Sequence, residues 1–513
     1  MADISNENKR IAKNTFVLYV RMAVMMIISF FTARITFNAL GVTDYGINNV
    51  VGGLVSMFSL LSSSLSSSAG RFMTFGLGKG DMDKLKRIFS ASVSIHIFLA
   101  VVVVISIETV GVWFLNHKMV IPAERLYAAN WVLQCSVVVF AIGLLSVPYN
   151  AAIIAHEKMS AFAYMTIFDA ASRLAIIGGI YYYEGDKLIL FALMTMAQAL
   201  IRQSIYWIYC KRKFEECSYR FGHDRELTRR MFSFAGWNFI GNSSALMKEQ
   251  GVNIVINLFA GPAVNAARAI ALQVNGIIGQ FAAGFTTALN PQITKNYASG
   301  NLSRVHSLIY QGTRFSYYLF MFLSIPVFLE IETILQVWLG QVPEHTTLFV
   351  RLVIIFTLAE IMSHFLITAL LATGNIRNYQ IVVGGVQFLN FPISYVLLRY
   401  GFFPEVTFIV AIVLSQICMV ARLWFLRSMV KLPARVFLRQ VYFNVLVVTF
   451  AASVFPVLCY WFFIEQPVIR FFSVCFISVM ASLFSIYFIG CSSNEQALLR
   501  AYIEKCRQKI FLC

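Results

Sequence analysis

The feature that most constrains this chain is its series of apolar runs, each about 20 residues or longer, separated by short polar segments. At a rise of about 1.5 Å per residue, about 20 helical residues cross the roughly 30 Å hydrocarbon layer of a bilayer. Only helices and closed barrels satisfy their backbone in lipid, and barrel strands would be shorter and alternate apolar with polar residues. Composition agrees: 59% of residues are hydrophobic, 13% are charged and the mean hydropathy is +0.72, which excludes a soluble globular protein. The expected fold is an all-α integral membrane protein of about 14 transmembrane helices. The spans fall near residues 14–40, 46–70, 88–115, 126–150, 160–183, 187–210, 231–260, 264–290, 307–332, 347–371, 379–398, 406–428, 440–463 and 468–490.

An even number of spans puts both termini on one side, and Lys and Arg test which side that is. Segments alternating to one side hold 28 of the 41 cationic residues, those on the other hold 6, and 7 lie within spans. Cytoplasmic loops carry the excess, so both ends are expected in the cytoplasm. The net charge of +17 is then concentrated in loops that lie against an anionic leaflet, and no nucleic-acid partner is expected. Residues 1–13 are polar and lack a short apolar region with a small-residue cleavage site, so the first span is expected to direct insertion. Nine cysteines show no metal-ligand spacing and read as reduced apolar side chains.

The order of turns and spans occurs twice. A turn at Leu40-Gly41 and a loop at Lys79-Gly80-Asp81 return 220 residues later as Ala260-Gly261-Pro262 and Ser299-Gly300-Asn301. His156-Glu157 likewise corresponds to Gly374-Asn375, and Glu184-Gly185 to Tyr400-Gly401. Spans 1 to 6 therefore match spans 7 to 12, and an even number per repeat implies two six-helix bundles of common orientation. The expected division is a cytoplasmic N-terminus at 1–13, a first bundle at 14–210, a basic cytoplasmic linker at 211–230 and a second bundle at 231–428. Two extra helices at 440–490 and a cytoplasmic tail at 491–513 follow.

Seven cations interrupt the spans: Arg21, Arg34, Arg173, Arg202, Lys248, Arg268 and Arg314. Each costs about 2.5–3.5 kcal/mol at a helix centre, so such groups usually face a protein interior or a watery cavity. Arg173 and Lys248 are expected near mid-membrane. Arg34, Arg202 and Arg268 are at least as well explained by snorkelling to headgroups. Asp169 stands four residues before Arg173, and a structural ion pair between them has as much weight as a functional role. Glu249 is expected to project about 100° away from Lys248. Glu108, Glu330, Glu332 and Glu360 are expected near span ends.

Asn238, Asn242, Glu249, Asn253 and Asn257 form a polar stripe on span seven, and Asn265, Arg268 and Asn275 form one on span eight. A hydrated groove and interhelical amide bonds carry equal weight as readings. Ser56, Ser59, Ser63 and Ser66 share a face suited to close packing. His96 and His364 read as satisfied buried side chains.

The run Asn14-Thr15 with Arg21, the turn Leu40 to Gly46, the loop Arg71 to Arg87, Asn265-Ala266-Ala267-Arg268 and the loop Pro291 to Gly300 resemble bacterial polysaccharide flippases of the Wzx type. These belong to the multidrug, oligosaccharidyl-lipid and polysaccharide exporter superfamily. The resemblance implies two six-helix bundles around a central cavity that opens alternately to each side. It also implies a polyprenyl-pyrophosphate-linked oligosaccharide as cargo, in the bacterial inner membrane. Spans 13 and 14 resemble fourteen-helix relatives such as flippases of the peptidoglycan precursor.

On this expectation the protein is a transporter rather than an enzyme, with no cofactor. Arg21, Arg173, Lys248, Arg268 and Arg314 line the path of the pyrophosphate, with Arg34, Arg202, Asn242, Asn253, Asn257 and Asn275 as further binding candidates. Asp169 and Glu249 are the candidates for coupling to a sodium or proton gradient. A polysaccharide polymerase is a candidate partner. A cation-coupled multidrug exporter, a membrane-embedded polymerase or glycosyltransferase, and a non-transporting scaffold remain as alternatives.

Overall fold

Several helix ends and breaks in this protein fall at residues in the left-handed region, and they carry the repeat into the backbone. Gly41 and Gly261 have φ of 76° and 84°, and Gly80 and Gly300 have 72° and 80°, each pair 220 residues apart. A residue beyond a helix end commonly turns left-handed to satisfy the last carbonyls, and glycine does so without a Cβ clash. At the third pair the halves differ, because Gly374 has φ of 78° while the corresponding turn uses Glu157 at 57°. A non-glycine residue there costs about 1–2 kcal/mol. The buried Glu157 carboxylate accepts Lys295 Nζ at 2.7 Å and Gln292 Nε2 at 2.5 Å, which offsets that cost.

The computed structural model describes residues 14–25, scattered positions from 28 to 55, and 58–497 except 118, 120, 220–223, 340, 341, 464, 465 and 494. Side chains 250, 257, 262, 263, 266, 281 and 282 also lie outside the description. The elements are α1 Asn14–Met25, α2 Ser59–Lys79, α3 Met82–His117, α4 Ala123–Ala155, α5 Met159–Tyr181, α6 Lys187–Lys213 and α7 Arg225–Leu246. They continue as α8 Val252–Ala298, α9 Leu302–Leu339, α10 Thr346–Thr373, α11 Arg377–Arg399, α12 Val406–Met429, α13 Ala434–Phe462 and α14 Pro467–Gly490. Every element among the described residues is helical. Ten helices are long and apolar enough to cross a bilayer among these residues, and the bent pair Ala267–Gln280 and Ala283–Ala298 adds an eleventh as one broken span. The expectation of an all-α, multi-pass membrane protein holds. The polar α7 is not among the ten.

The chain divides into two compact units. The first comprises Met1–Ser243, Thr287–Asn301 and Leu371–Gln380. Small side chains let its helices approach closely, as packing without a hydrophobic driving force requires. Ala69, Ala152 and Ala155 are fully buried around Met73 and Phe89. The serines that meet neighbours are Ser64 and Ser68 rather than Ser63, which is exposed. Ser68 donates to the Met231 carbonyl at 3.0 Å and Ser64 accepts from Asn242 Nδ2 at 3.1 Å. At Gly78 a Cβ would meet the Lys295 carbonyl oxygen at 2.7 Å and the Ala298 Cβ at 2.8 Å. Gly78→Ala is therefore expected to cost about 1–3 kcal/mol in thermal unfolding of the detergent-solubilised protein. Gly70→Ala in the same helix, with open space around it, is expected to be tolerated.

One end of this unit is held by charge. Arg125 reaches Asp44 at 2.5 Å and Asp186 at 2.8 Å, and Asp186 also caps α6 through the amides of Leu188 and Ile189. Burial alone would raise the Asp186 carboxyl, but hydrogen bonds from Arg125 and Ile189 hold it below the usual carboxylate range. A depressed carboxylate stabilises fully above its unfolded value of about 3.9, and the contribution is lost as pH falls through the folded value. Stability measured from pH 7 to 3 should fall less steeply in Asp186→Asn than in the parent.

The second unit comprises Ser244–Thr286, Leu302–Leu370 and Ile381–Cys513. Its core gathers Phe320, Ile331, Leu335, Phe349 and Phe408. Helices α13 and α14 pack along each other and on α9. Glu330, expected near a span end, is instead fully buried and bonds Arg470 of α14 at 2.9 Å. Arg422, within the expected span 406–428 but not among the seven intramembrane cations named above, lies inside α12 as one of the largest fully buried side chains. Both corrections follow from interhelical packing, which hydropathy along one helix does not report.

Candidate functional site

Two helices and one turn of the second unit place charge around one cavity of about 290 Å³. Between α7 and α8 the chain makes a π-turn, Met247–Gly251. Wide turns of this kind concentrate at functional sites. Here the turn brings Lys248 and Glu249 to the same cavity, instead of the divergent directions of a regular helix. Gly251 closes the turn where a Cβ would lie 2.6 Å from the Phe391 ring, so only glycine permits this approach to α11.

After the break at Gly261, α8 presents Arg268, Leu272 and Asn275 to the cavity, spaced as one helix face. From α10 come Val353, Phe356 and Glu360, and α11 and α12 add Asn390, Thr407 and Phe408. Lys248 Nζ stands 4.9 Å from the centre of the Phe356 ring, and the Arg268 guanidinium 5.5 Å from that of Phe408. Each ring face attracts its cation. Arg268 is 5% exposed and donates to Asn253 Oδ1, while its Nε and Asn275 Oδ1 are buried without a partner among the described residues.

Glu360 lies at the midpoint of α10 rather than near a span end, and its ionisable neighbours are Lys248, Arg422 and His364. Arg422 Nε and Nη1 lack hydrogen-bond partners among the described residues. His364 is exposed rather than buried, whereas His96 is buried with Nδ1 at 2.7 Å from the Ser92 carbonyl. The cavity thus holds two cations, two carboxylates, two side-chain amides and two aromatic rings. Such a lining can bind a charged group at one point and hydroxyls at others.

The other expected site residues are dispersed. Asp169 does not pair with Arg173: its carboxylate receives Arg202 Nη1 at 3.0 Å and Gln198 Nε2 at 3.1 Å, because α6 packs against α5 there. Arg173 is exposed on α5. Arg21 bonds Thr166 Oγ1 at 2.6 Å and lies 4.6 Å from the Phe162 ring centre. Arg314 pairs with Glu495 at 2.7 Å beside a different cavity. Asn242 serves helix packing through Ser64. Arg34 and the Asn257 side chain lie outside the described residues.

Sequence reasoning missed Glu360, Asn390, Thr407 and Arg422. For Glu360 and Arg422 the signal was their position well inside the expected spans 347–371 and 406–428. Asn390 and Thr407 carry no signal beyond being polar.

The fold is shared with solved transporters. A MATE crystal structure in complex with MaD3S aligns with TM-score 0.71 at 13% identity, covering 83% of this chain and 97% of that one. A MATE in the bent conformation aligns with TM-score 0.72 at 11% identity, over 83% and 96% of the two chains. A MOP superfamily transporter from Pyrococcus furiosus, described as having a binding pocket of reverse polarity, aligns with TM-score 0.69 at 13% identity over the same shares. The MatE family matches residues 246–396. Fold and matches together define a multi-pass membrane transporter of the MOP superfamily. The family described as "Polysaccharide biosynthesis protein" matches residues 11–297, more than half the chain, and the chain belongs to that family. No curated protein matches the sequence.

Proposed function

We propose that the protein is a flippase that moves a polyprenyl-pyrophosphate-linked oligosaccharide from the cytoplasmic to the periplasmic leaflet by alternating access. The observation that carries this reading is the convergence of Lys248 and Arg268 with Asn275 and Asn390 in one mid-helix cavity. A pyrophosphate crossing a low-dielectric layer needs fixed cations, and Arg holds it by charge-assisted, often bidentate hydrogen bonds. The amides and carboxylates suit sugar hydroxyls, which both donate and accept. The volume of about 290 Å³ suits part of a headgroup, leaving the polyprenyl tail in the bilayer. The Lys and Arg asymmetry supports cytoplasmic termini, and the resemblance to bacterial polysaccharide flippases supports a bacterial inner-membrane location. Glu249, in the cavity, is the better candidate for sodium or proton coupling, since Asp169 is engaged by Arg202. A polymerase that consumes the flipped glycan is the partner this function implies.

Glu249 and Glu360 favour a second reading, a cation-coupled multidrug exporter, because cationic drugs require acids in the path. The two are separated in vesicles containing the purified protein. We expect protein-dependent change in leaflet accessibility of a fluorescent polyprenyl-pyrophosphate oligosaccharide, and no efflux of a cationic dye. The opposite pattern, with and without ion gradients, would replace the flippase by the exporter.

A further inference from the structure

A second cavity of about 930 Å³, in the second unit, lies where α9 begins, where α12 turns into α13, and where α14 ends. We propose that it binds the phosphate headgroup of an anionic phospholipid of the surrounding bilayer, a site distinct from the transport cavity.

Four observations carry this. Among the described residues Glu495 is the one carboxylate in its lining, and that charge is consumed by Arg314 at 2.7 Å. The exposed Lys431 then leaves the lining positive, held by a backbone with φ of 55°. Exposed Arg435 and Arg439 extend the charge along α13, beside the lining residues Val436 and Gln440. Two buried polar atoms of the lining residues, the Tyr310 hydroxyl and Arg314 Nε, lack partners among the described residues, and both can donate to phosphate oxygens. The first turn of α9 also borders the cavity through Leu302 and Ser303, and a helix N-terminus favours an anion.

The apolar surroundings select a lipid over a free anion. Phe443, Leu446 and Phe450 on α13, and Phe484 and Phe488 on α14, are exposed large side chains leading away from the polar cavity. Acyl chains can lie on them while the headgroup occupies the cavity. Basic pockets between transmembrane helices on the cytoplasmic side are suited to anionic headgroups, and the loop charges place this end there on the reading above.

The test uses the full-length, delipidated protein in detergent, titrated with phosphatidylglycerol or phosphatidylcholine and read by native mass spectrometry of retained lipid. Phosphatidylglycerol should be retained ahead of phosphatidylcholine. Lys431→Gln should weaken it about fivefold, as expected for one cation near a headgroup, and Tyr310→Phe should weaken it as well. Arg427→Gln, which removes the same charge from an exposed position outside the lining, should leave retention unchanged. Equal retention of the two lipids, or equal effects of Lys431→Gln and Arg427→Gln, would overturn the site. Displacement by millimolar inorganic phosphate would make it a free-anion site. Displacement by polyprenyl pyrophosphate below equimolar phosphatidylglycerol would assign it to cargo instead.

Discussion

Glutamine at both Lys248 and Arg268 is expected to reduce protein-dependent transfer of a polyprenyl-pyrophosphate oligosaccharide by at least about 100-fold, a loss that two charge-assisted contacts of about 1.5–3 kcal/mol each readily supply. The two side chains come from different elements, the π-turn and α8, and meet in one cavity against the Phe356 and Phe408 rings. Neutralising them leaves Glu249 and Glu360 to dominate the lining, so the variant should also repel a pyrophosphate. Lys248→Arg keeps the charge and should retain most transfer. Arg173→Gln removes an exposed cation elsewhere and should have a much smaller effect. Unfolding temperatures of the variants separate lost binding from lost structure. Normal transfer by a folded Lys248→Gln/Arg268→Gln protein would sink the cationic site.

Arg470→Met is expected to be the most destabilising single change described here. Glu330 is fully buried and receives Arg470 Nε at 2.9 Å and Nη2 at 3.3 Å, and Arg470 also lies 4.6 Å from the Tyr460 ring centre. Removing one partner leaves an unpaired buried carboxylate, at a cost of about 3–5 kcal/mol. The double variant Glu330→Met/Arg470→Met removes both charges and should recover most of the loss, because replacing a buried pair with apolar groups is often neutral. The readout is thermal unfolding in detergent. A double variant no more stable than Arg470→Met would show that the pair is not what holds α14 to α9.

The first expectation rests on residues legible in the sequence, and the second on a pair that was not. Lys248 and Arg268 stand out because a charge within an apolar run costs too much to persist without an interior or a cavity to face. Glu330 is expected near a span end and Arg470 stands at the start of the span expected at 468–490, and nothing in either local sequence points to the other. Asp169 shows the same limit, since helical spacing nominated Arg173 while the packing of α5 on α6 delivered Arg202.

The sequence by itself determined that the chain is a helical membrane protein built on a repeated plan, and where several of its glycine turns fall. Hydrocarbon thickness, backbone hydrogen bonding and the steric freedom of Gly41, Gly80, Gly261 and Gly300 act over a few neighbouring residues, so local sequence suffices. Only the tertiary structure decided which charges meet: Glu360 and Lys248 at one cavity, Arg314 with Glu495, Arg202 with Asp169. Those outcomes depend on helix rotation and axial offset against a neighbour, and the π-turn at Met247–Gly251 changes that rotation without any apolar period to announce it.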